Sequence, residues 1–231
     1  MLDTSVPTAT APAHTLVNNA NLGNPAVLVS LAWAGSDTGS GVARYELQRR
    51  TDSGSWTAVA LPSRMSTLLQ TWLAPGHSYT FRVRSHDRAG NASAWRQGAT
   101  FRINAYQESH SGIRYTSPWY AGPLTGSYGG SVKYSIWRGA RATFTIPRGT
   151  RSIGWVSTRS DRRGITEIRV DGVVRATVDL YSPTPQPRRM VFVQTGLDPT
   201  ITHTIEVRMT GLNNPSSRSR RVDVDAFVTM R

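Results

Sequence analysis

Apolar residues recur along this chain at every second position, and that period constrains the fold more than any other feature. Tyr79-Thr-Phe81-Arg-Val83-Arg84 alternates bulky apolar with polar residues, and Arg44-Tyr45-Glu-Leu47-Gln48 does the same. The pattern returns in Ala142–Ile146, Glu167–Val170, Thr204–Met209 and Arg221–Ala226. Successive side chains of an extended strand point to opposite faces, so each segment would bury one face and wet the other. Turn-forming clusters separate these segments at intervals of about ten residues. They are Gly35-Ser-Asp-Thr-Gly-Ser-Gly41, Asp52-Ser-Gly54, Ala74-Pro-Gly76 and Asp171-Gly172. Short strands at that spacing build sandwiches or barrels. No amphipathic stretch of helical period is long enough to compete, so the expected class is all-β.

A chain of 231 residues has room for one or two domains, and its 38% apolar content supplies a modest core. One strand pattern ends and a new segment begins near Ile103–Tyr106, which predicts two domains, 1–104 and 105–231. The halves do not repeat one another, so the arrangement is a tandem of unlike modules. The longest nearly apolar run, Ala26–Trp33, is far too short to cross a bilayer. No basic and apolar leader follows Met1, so no secretory signal is expected within this sequence.

The net charge of +13 comes from 27 bases against 14 acids, and Lys133 is the single lysine. Such an arginine bias fits a GC-rich genome as well as a polyanionic partner, although guanidinium forks do suit phosphate, sulfate and carboxylate. The arginines are scattered and no recognition helix or RNA-binding signature is present, so dedicated nucleic-acid binding is not expected. Zero cysteines exclude disulfides, cysteine zinc sites and thiol catalysis. The five histidines, His14, His77, His86, His110 and His203, lack metal-ligand spacing, and no nucleophile elbow, phosphate loop or dinucleotide fingerprint occurs. A triad of His203, Asp198 and a nearby serine, or paired carboxylates among Asp171, Asp179, Asp223 and Asp225, would rest on number alone. The expectation is therefore no enzyme.

The first half resembles a bacterial fibronectin type III domain. The resemblance rests on Val29-Ser-Leu31-Ala-Trp33, the turn from Asp37 to Gly41, and Tyr45-Glu-Leu47-Gln-Arg-Arg. It continues through Leu73-Ala-Pro75-Gly76-His-Ser-Tyr79-Thr-Phe81-Arg-Val83 and closes on Asp87-Arg-Ala-Gly90-Asn91-Ala-Ser93-Ala-Trp95. It implies an immunoglobulin-like sandwich with Trp33 in the core and a tyrosine corner at Tyr79. Trp72 and Trp95 are expected to pack rather than to bind. In exported bacterial proteins such domains usually serve as spacers, and Asp3-Thr-Ser-Val-Pro7 resembles the linker before one, which would make Met1 an internal point of a longer polypeptide.

The second half resembles a galactose-binding-like jelly-roll module of the carbohydrate-binding type. The carrying stretches include Ile113–Trp119, Ser127–Ser131, Gly139–Phe144, Ile153–Val156, Arg163-Gly164-Ile165, Val170-Asp171-Gly172, Val178–Ser182, His203-Thr204-Ile205 and Val222–Phe227. Two loops depart from the pattern, at Pro147-Arg148-Gly149-Thr150 and at Pro199–Thr202. A pyranose needs a flat aromatic face for its C–H surface and planar polar groups for paired hydroxyls. Trp119, Tyr120, Tyr128 and Trp137 are the expected stacking rings; Asp161, Arg162, Arg163, Tyr181 and Asn214 are the expected hydrogen-bonding groups. Trp155 reads as core. Related jelly rolls often hold a structural calcium between a carboxylate near the domain start and one near the last strand. The resemblance puts Glu108 and Asp225 in those places, though Asp223 or Asp225 could instead pair with arginine.

Together the resemblances imply a noncatalytic accessory region of a secreted or cell-surface bacterial protein. A fibronectin-like spacer would present a jelly roll to polysaccharide or cell-surface glycan, neutral or acidic, beside upstream domains of the same polypeptide. The competing expectation is a structural or protein-interaction tail of a larger secreted enzyme or surface assembly, without a sugar site.

Overall fold

The computed structural model describes residues 3–231. The fold is all-β: among the described residues the only helical element is a 3-10 turn at Tyr128–Gly130, and no helix is long and apolar enough to cross a membrane. Contacts divide the chain into two compact units, Met1–Thr15 with Val29–Arg102 and Leu16–Leu28 with Ile103–Arg231.

The first unit is built from β1 (Ala13–Leu16), β2 (Val27–Ala32), β3 (Val42–Thr51), β4 (Thr57–Val59), β5 (Leu68–Leu73) and β6 (Ser78–Asp87), with the start of β7 (Phe101–Gln107). One sheet has the order β1-β2-β5; the other runs β4-β3-β6, with Phe101 and Arg102 of β7 pairing with Tyr79 and Ser78. Tyr45 and Leu47 of β3 and Tyr79, Phe81 and Val83 of β6 are buried, which is the face set by the alternation in the sequence. Trp33 is buried edge-on to Tyr45, with ring centroids 6.3 Å apart. The Tyr79 hydroxyl donates to the Ala74 carbonyl at 2.9 Å, the bond that defines a tyrosine corner.

The opposite face of β3 and β6 carries an alternating stack of guanidinium and indole. The Arg50 and Arg82 guanidinium carbons lie 5.0 and 4.3 Å from the Trp56 ring centroid, and those of Arg82 and Arg84 lie 4.6 and 4.7 Å from Trp95. Gln48 accepts two bonds from Arg82, and Glu46 accepts from Arg84 and Arg44. Trp95 therefore packs, while Trp72 is half exposed.

The second unit is a jelly-roll β-sandwich. Its strands after β7 are β8 (Ile113–Thr116), β9 (Tyr120–Pro123), β10 (Ser131–Ser135), β11 (Arg141–Ile146), β12 (Ser152–Arg159), β13 (Gly164–Val170), β14 (Val173–Asp179), β15 (Gln186–Thr195), β16 (His203–Asn213), β17 (Val222–Val224) and β18 (Ala226–Met230). One sheet has the order β8-β11-β16-β13-β14. Facing it, β15-β12-β18 continues to residues 103–107 of β7, and β9-β10-β17 forms a short third sheet. The core between the layers holds Phe144 stacked on Phe227 at 5.1 Å, with Trp155, Ile168, Val207 and Val224. Strands β11, β13 and β16 bury alternate residues, whereas β12 and β18 are buried on both faces along nearly their whole length.

The residues 16–28 belong to this unit through main-chain pairing to β15. Asn19 and Leu22 donate to the Met190 and Arg188 carbonyls, and Met190 donates to Ala20. Side-chain bonds from Arg159 to Asn19 and from Arg189 to Asn21 add to these. No strand period marks that excursion between β1 and β2, and its partners lie far along the chain.

Candidate functional site

The turn between β10 and β11 is fixed from below. Gly139 donates to the Met209 carbonyl and Met209 donates to Ala140, so residues 137–140 are laced to β16. Gly211 adopts φ +78°, and a Cβ there would fall 2.8 Å from the Cβ of Arg138; only glycine gives the arginine stem that room. The turn lifts Trp137 into solvent, with 52% of its surface exposed.

A cleft of ≈ 390 Å³ begins at the next residue, Arg138, and is walled by Arg138, Glu167, Arg208 and Thr210 over Met209 and Leu212. Arg208 and Thr210 stand on the wet phase of β16, and Glu167 is the register partner of Arg208 on β13. A second depression lies against Ile136, Asn213, Ser217, Arg218 and Arg220. Leu212 lines the first hollow and Asn213 the second, and Arg138 and Ile136 divide likewise, so the hollows are neighbours along two segments of the chain.

The 214–221 loop that forms the second hollow is held by polar side chains of other loops. Asn214 donates to Asp179 at 2.7 Å, and the Tyr181 amide donates to the same carboxylate at 2.8 Å. The Asp161 and Arg163 carbonyls accept from Ser217, and the Arg218 guanidinium stands 3.7 Å from the Asp161 carboxylate. Asp161, Tyr181 and Asn214 are thus brought together, and all three orient loops. Arg162 is exposed beside them.

Three expected ligand groups are placed otherwise than as exposed loop groups. Arg163 is buried, with Nε 2.8 Å from Asp223 Oδ1, and burial lowers its pKa from the usual guanidinium range even with that carboxylate opposing the shift. A charge so enclosed is committed to its partner. Tyr128 is buried in the 3-10 turn, where burial raises its hydroxyl pKa and its main-chain N–H points at Asp225. Trp119 is partly buried against the core, its ring tilted against that of Tyr115 with centroids 5.2 Å apart. Tyr120 is half exposed on β9, tilted against Tyr134, which in turn carries the Arg221 guanidinium 3.8 Å from its centroid.

Sequence reasoning missed Arg138, Glu167, Arg208, Thr210, Arg218 and Arg220. For Glu167, Arg208 and Thr210 the signal was present, since they occupy the polar phase of alternating strands. Nothing local marks Arg138 or Arg220.

Glu108 and Asp225 meet at the start of β18. The Glu108 amide donates to the Asp225 carbonyl at 3.1 Å, and both residues are buried. Both Asp225 oxygens accept the one Tyr128 N–H at 3.0 Å. Glu108 Oε1 accepts from Ser131 Oγ at 2.6 Å, while Oε2 is buried with no hydrogen-bond partner among the described residues. Burial pushes the Asp225 carboxyl up to about 8; the Tyr128 amide opposes this, and the charges of Asp223 and Glu108 add to it. Two enclosed carboxylates with one orphaned oxygen form an oxygen-only donor set that fits a hard divalent cation.

His203 bonds to Asp171 Oδ2 at 2.6 Å through Nδ1 and to the Asp198 carbonyl at 2.9 Å through Nε2. Both ring nitrogens face acceptors, and Asp198 contributes its main chain rather than its carboxylate, so the ring ties two turns together.

No family model matches the chain. A stretch of 73 residues is 42% identical to endoglucanase B of Cellulomonas fimi, covering 31% of this chain and 7% of that protein. The solved structures that resemble this chain include the CBM36-1 domain of a multidomain xylanase from the hindgut metagenome of Trinervitermes trinervoides. It has a TM-score of 0.40 and 13% identity over 55% of this chain and 96% of that one. A two-domain esterase active on acetylated mannans, co-crystallised with mannopentaose, has a TM-score of 0.40 and 14% identity over 56% and 37%. A likeness at these scores says nothing about what this chain binds.

Proposed function

We propose that this chain is a noncatalytic accessory region of an exported, carbohydrate-active protein, and that its second unit binds polysaccharide or cell-surface glycan at the Trp137 cleft. The observation that carries this reading is the half-exposed Trp137 indole on a laced turn, whose chain neighbours Ile136 and Arg138 each line a hollow walled by planar hydrogen-bonding groups. An indole face covers the C–H surface of a pyranose, and guanidinium, carboxylate and hydroxyl groups beside it address the ring hydroxyls. The stretch shared with endoglucanase B supports the setting, since an accessory region occupies a small part of such a protein.

On this reading the first unit is a fibronectin type III spacer, spanning roughly the expected 1–104, and the second is a jelly-roll binding module over 105–231 with the 16–28 segment attached. The tyrosine corner and the three-stranded and four-stranded sheets support the first assignment. Glu108 and Asp225 would hold a structural calcium, which would neutralise the buried carboxylates and brace the start of β18 against the Tyr128 turn.

Retention on immobilised polysaccharides tests the binding role. Trp137→Ala is expected to lose about tenfold or more in affinity for every glycan the parent chain retains. Trp72→Ala in the first unit is expected to bind as the parent does. Unchanged retention of Trp137→Ala on all of them would refute the assignment.

A further inference from the structure

The charge along the two hollows is one-sided. Arg138 and Arg208 wall the first, Arg218 and Arg220 the second, and Glu167 is the one carboxylate lining either. Glu167 is already engaged by Arg169 Nε at 2.6 Å. Arg138, Arg208 and Arg220 have no carboxylate partner among the described residues, and Arg218, 74% exposed in its side chain, reaches only to 3.7 Å from Asp161. Guanidinium groups without a close carboxylate partner therefore line both hollows.

Resting on the reading that Trp137 stacks on a sugar, we propose that the ligand is an anionic polysaccharide, whose carboxylate or sulfate groups are taken by the arginines flanking that ring. A guanidinium presents a planar fork that meets a carboxylate or sulfate with two parallel hydrogen bonds, which it cannot do with a single hydroxyl. In the chain Trp137 stands between Ile136, which lines one hollow, and Arg138, which lines the other, so a glycan stacked on the ring would meet Arg138 and Arg208 in one and Arg218 and Arg220 in the other. Trp137 is a single exposed indole and neither hollow is lined by an aromatic ring, which matches one pyranose face better than successive bases of a nucleic acid.

Affinity measured at low and high salt separates these possibilities. The probes are polygalacturonate for carboxylates, dextran sulfate for sulfate esters, neutral dextran and xylan, and duplex DNA. The proteins are the full chain, Trp137→Ala, the double variant Arg138→Gln/Arg220→Gln, and Arg175→Gln, which removes a charge on β14 away from both hollows. The expected result is binding to polygalacturonate, dextran sulfate or both, weakened about tenfold or more by salt and by the double variant and also by Trp137→Ala, but not by Arg175→Gln. Whichever anionic polymer binds tighter identifies the charged group. Neutral xylan or dextran bound as tightly, with no salt dependence, would overturn the anionic ligand and leave the glycan-binding reading standing. DNA bound as tightly as either anionic glycan, or equal losses in Arg175→Gln, would overturn it in favour of general polyanion attraction. No retention on any glycan would bring down both.

Discussion

At the scale of single residues, His203 gives the clearest pH dependence. Its bond to Asp171 raises the imidazole pKa, with burial opposing and the Asp198 carbonyl assisting. Burial disfavours the charge on Asp171, but the bonds from His203 and Thr204 outweigh it and hold that carboxyl below its ordinary value. A raised folded value means that the histidine contributes fully below its unfolded pKa of about 6.5 and loses that contribution as pH rises through the folded value. The depressed aspartate contributes above its unfolded pKa of about 3.9 and loses it as pH falls. The expected Tm therefore declines as pH rises above about 6.5, and His203→Gln flattens that decline; identical slopes in the two proteins would contradict the assignment. Arg163 offers a larger effect. Arg163→Ala leaves Asp223 buried with only Arg221, at 3.3 Å, to balance it, and is expected to cost about 3–5 kcal/mol in urea unfolding.

At the scale of elements, the guanidinium–indole stack on β3 and β6 does for the outer face of a sheet what apolar packing does for the inner. Trp95 bridges Arg82 and Arg84, so Trp95→Ala is expected to cost about 1–2 kcal/mol, while Trp72→Ala stays within about 0.5 kcal/mol. Chemical unfolding of the two variants checks the difference. The strands were legible in the sequence where one face is wet: the segments at Arg44–Gln48, Tyr79–Arg84, Ala142–Ile146, Glu167–Val170 and Thr204–Met209 all lie within observed strands. The Arg221–Ala226 pattern breaks at Asp225, whose amide leaves the ladder for the Val156 carbonyl. Strands β12 and β18 are buried on both faces and so carry no alternation to read.

At the scale of the whole molecule, what the sequence hides is non-local. The 16–28 segment joins the second unit by main-chain bonds to Arg188 and Met190, and no composition shift announces it. The cleft likewise exists because the turn at Gly139 is laced to Met209 some seventy residues further along the chain. Trp137 was readable as an indole at a strand end; the arginines that line the two hollows were not. Calcium held by Glu108 and Asp225 is expected to brace the second unit. In hydrogen exchange, calcium at about a hundred times Kd should add about 2.7 kcal/mol of protection to the globally exchanging amides of β12 and β18. Asp225→Asn should abolish the effect on β12 and β18. No calcium uptake and no change in protection would remove the ion from the account.

The most direct measurement of the central claim uses the seven tryptophans as reporters. Each indole N–H gives its own resonance in a nitrogen-edited NMR spectrum, and the signals are assigned by single substitution. On titration with a retained polysaccharide, the Trp137 indole is expected to shift together with main-chain amides of Gly139, Thr210 and Leu212, while those of Trp33, Trp56, Trp95 and Trp155 hold still. Shifts centred on Trp72 or on Tyr120, with Trp137 unmoved, would contradict the account.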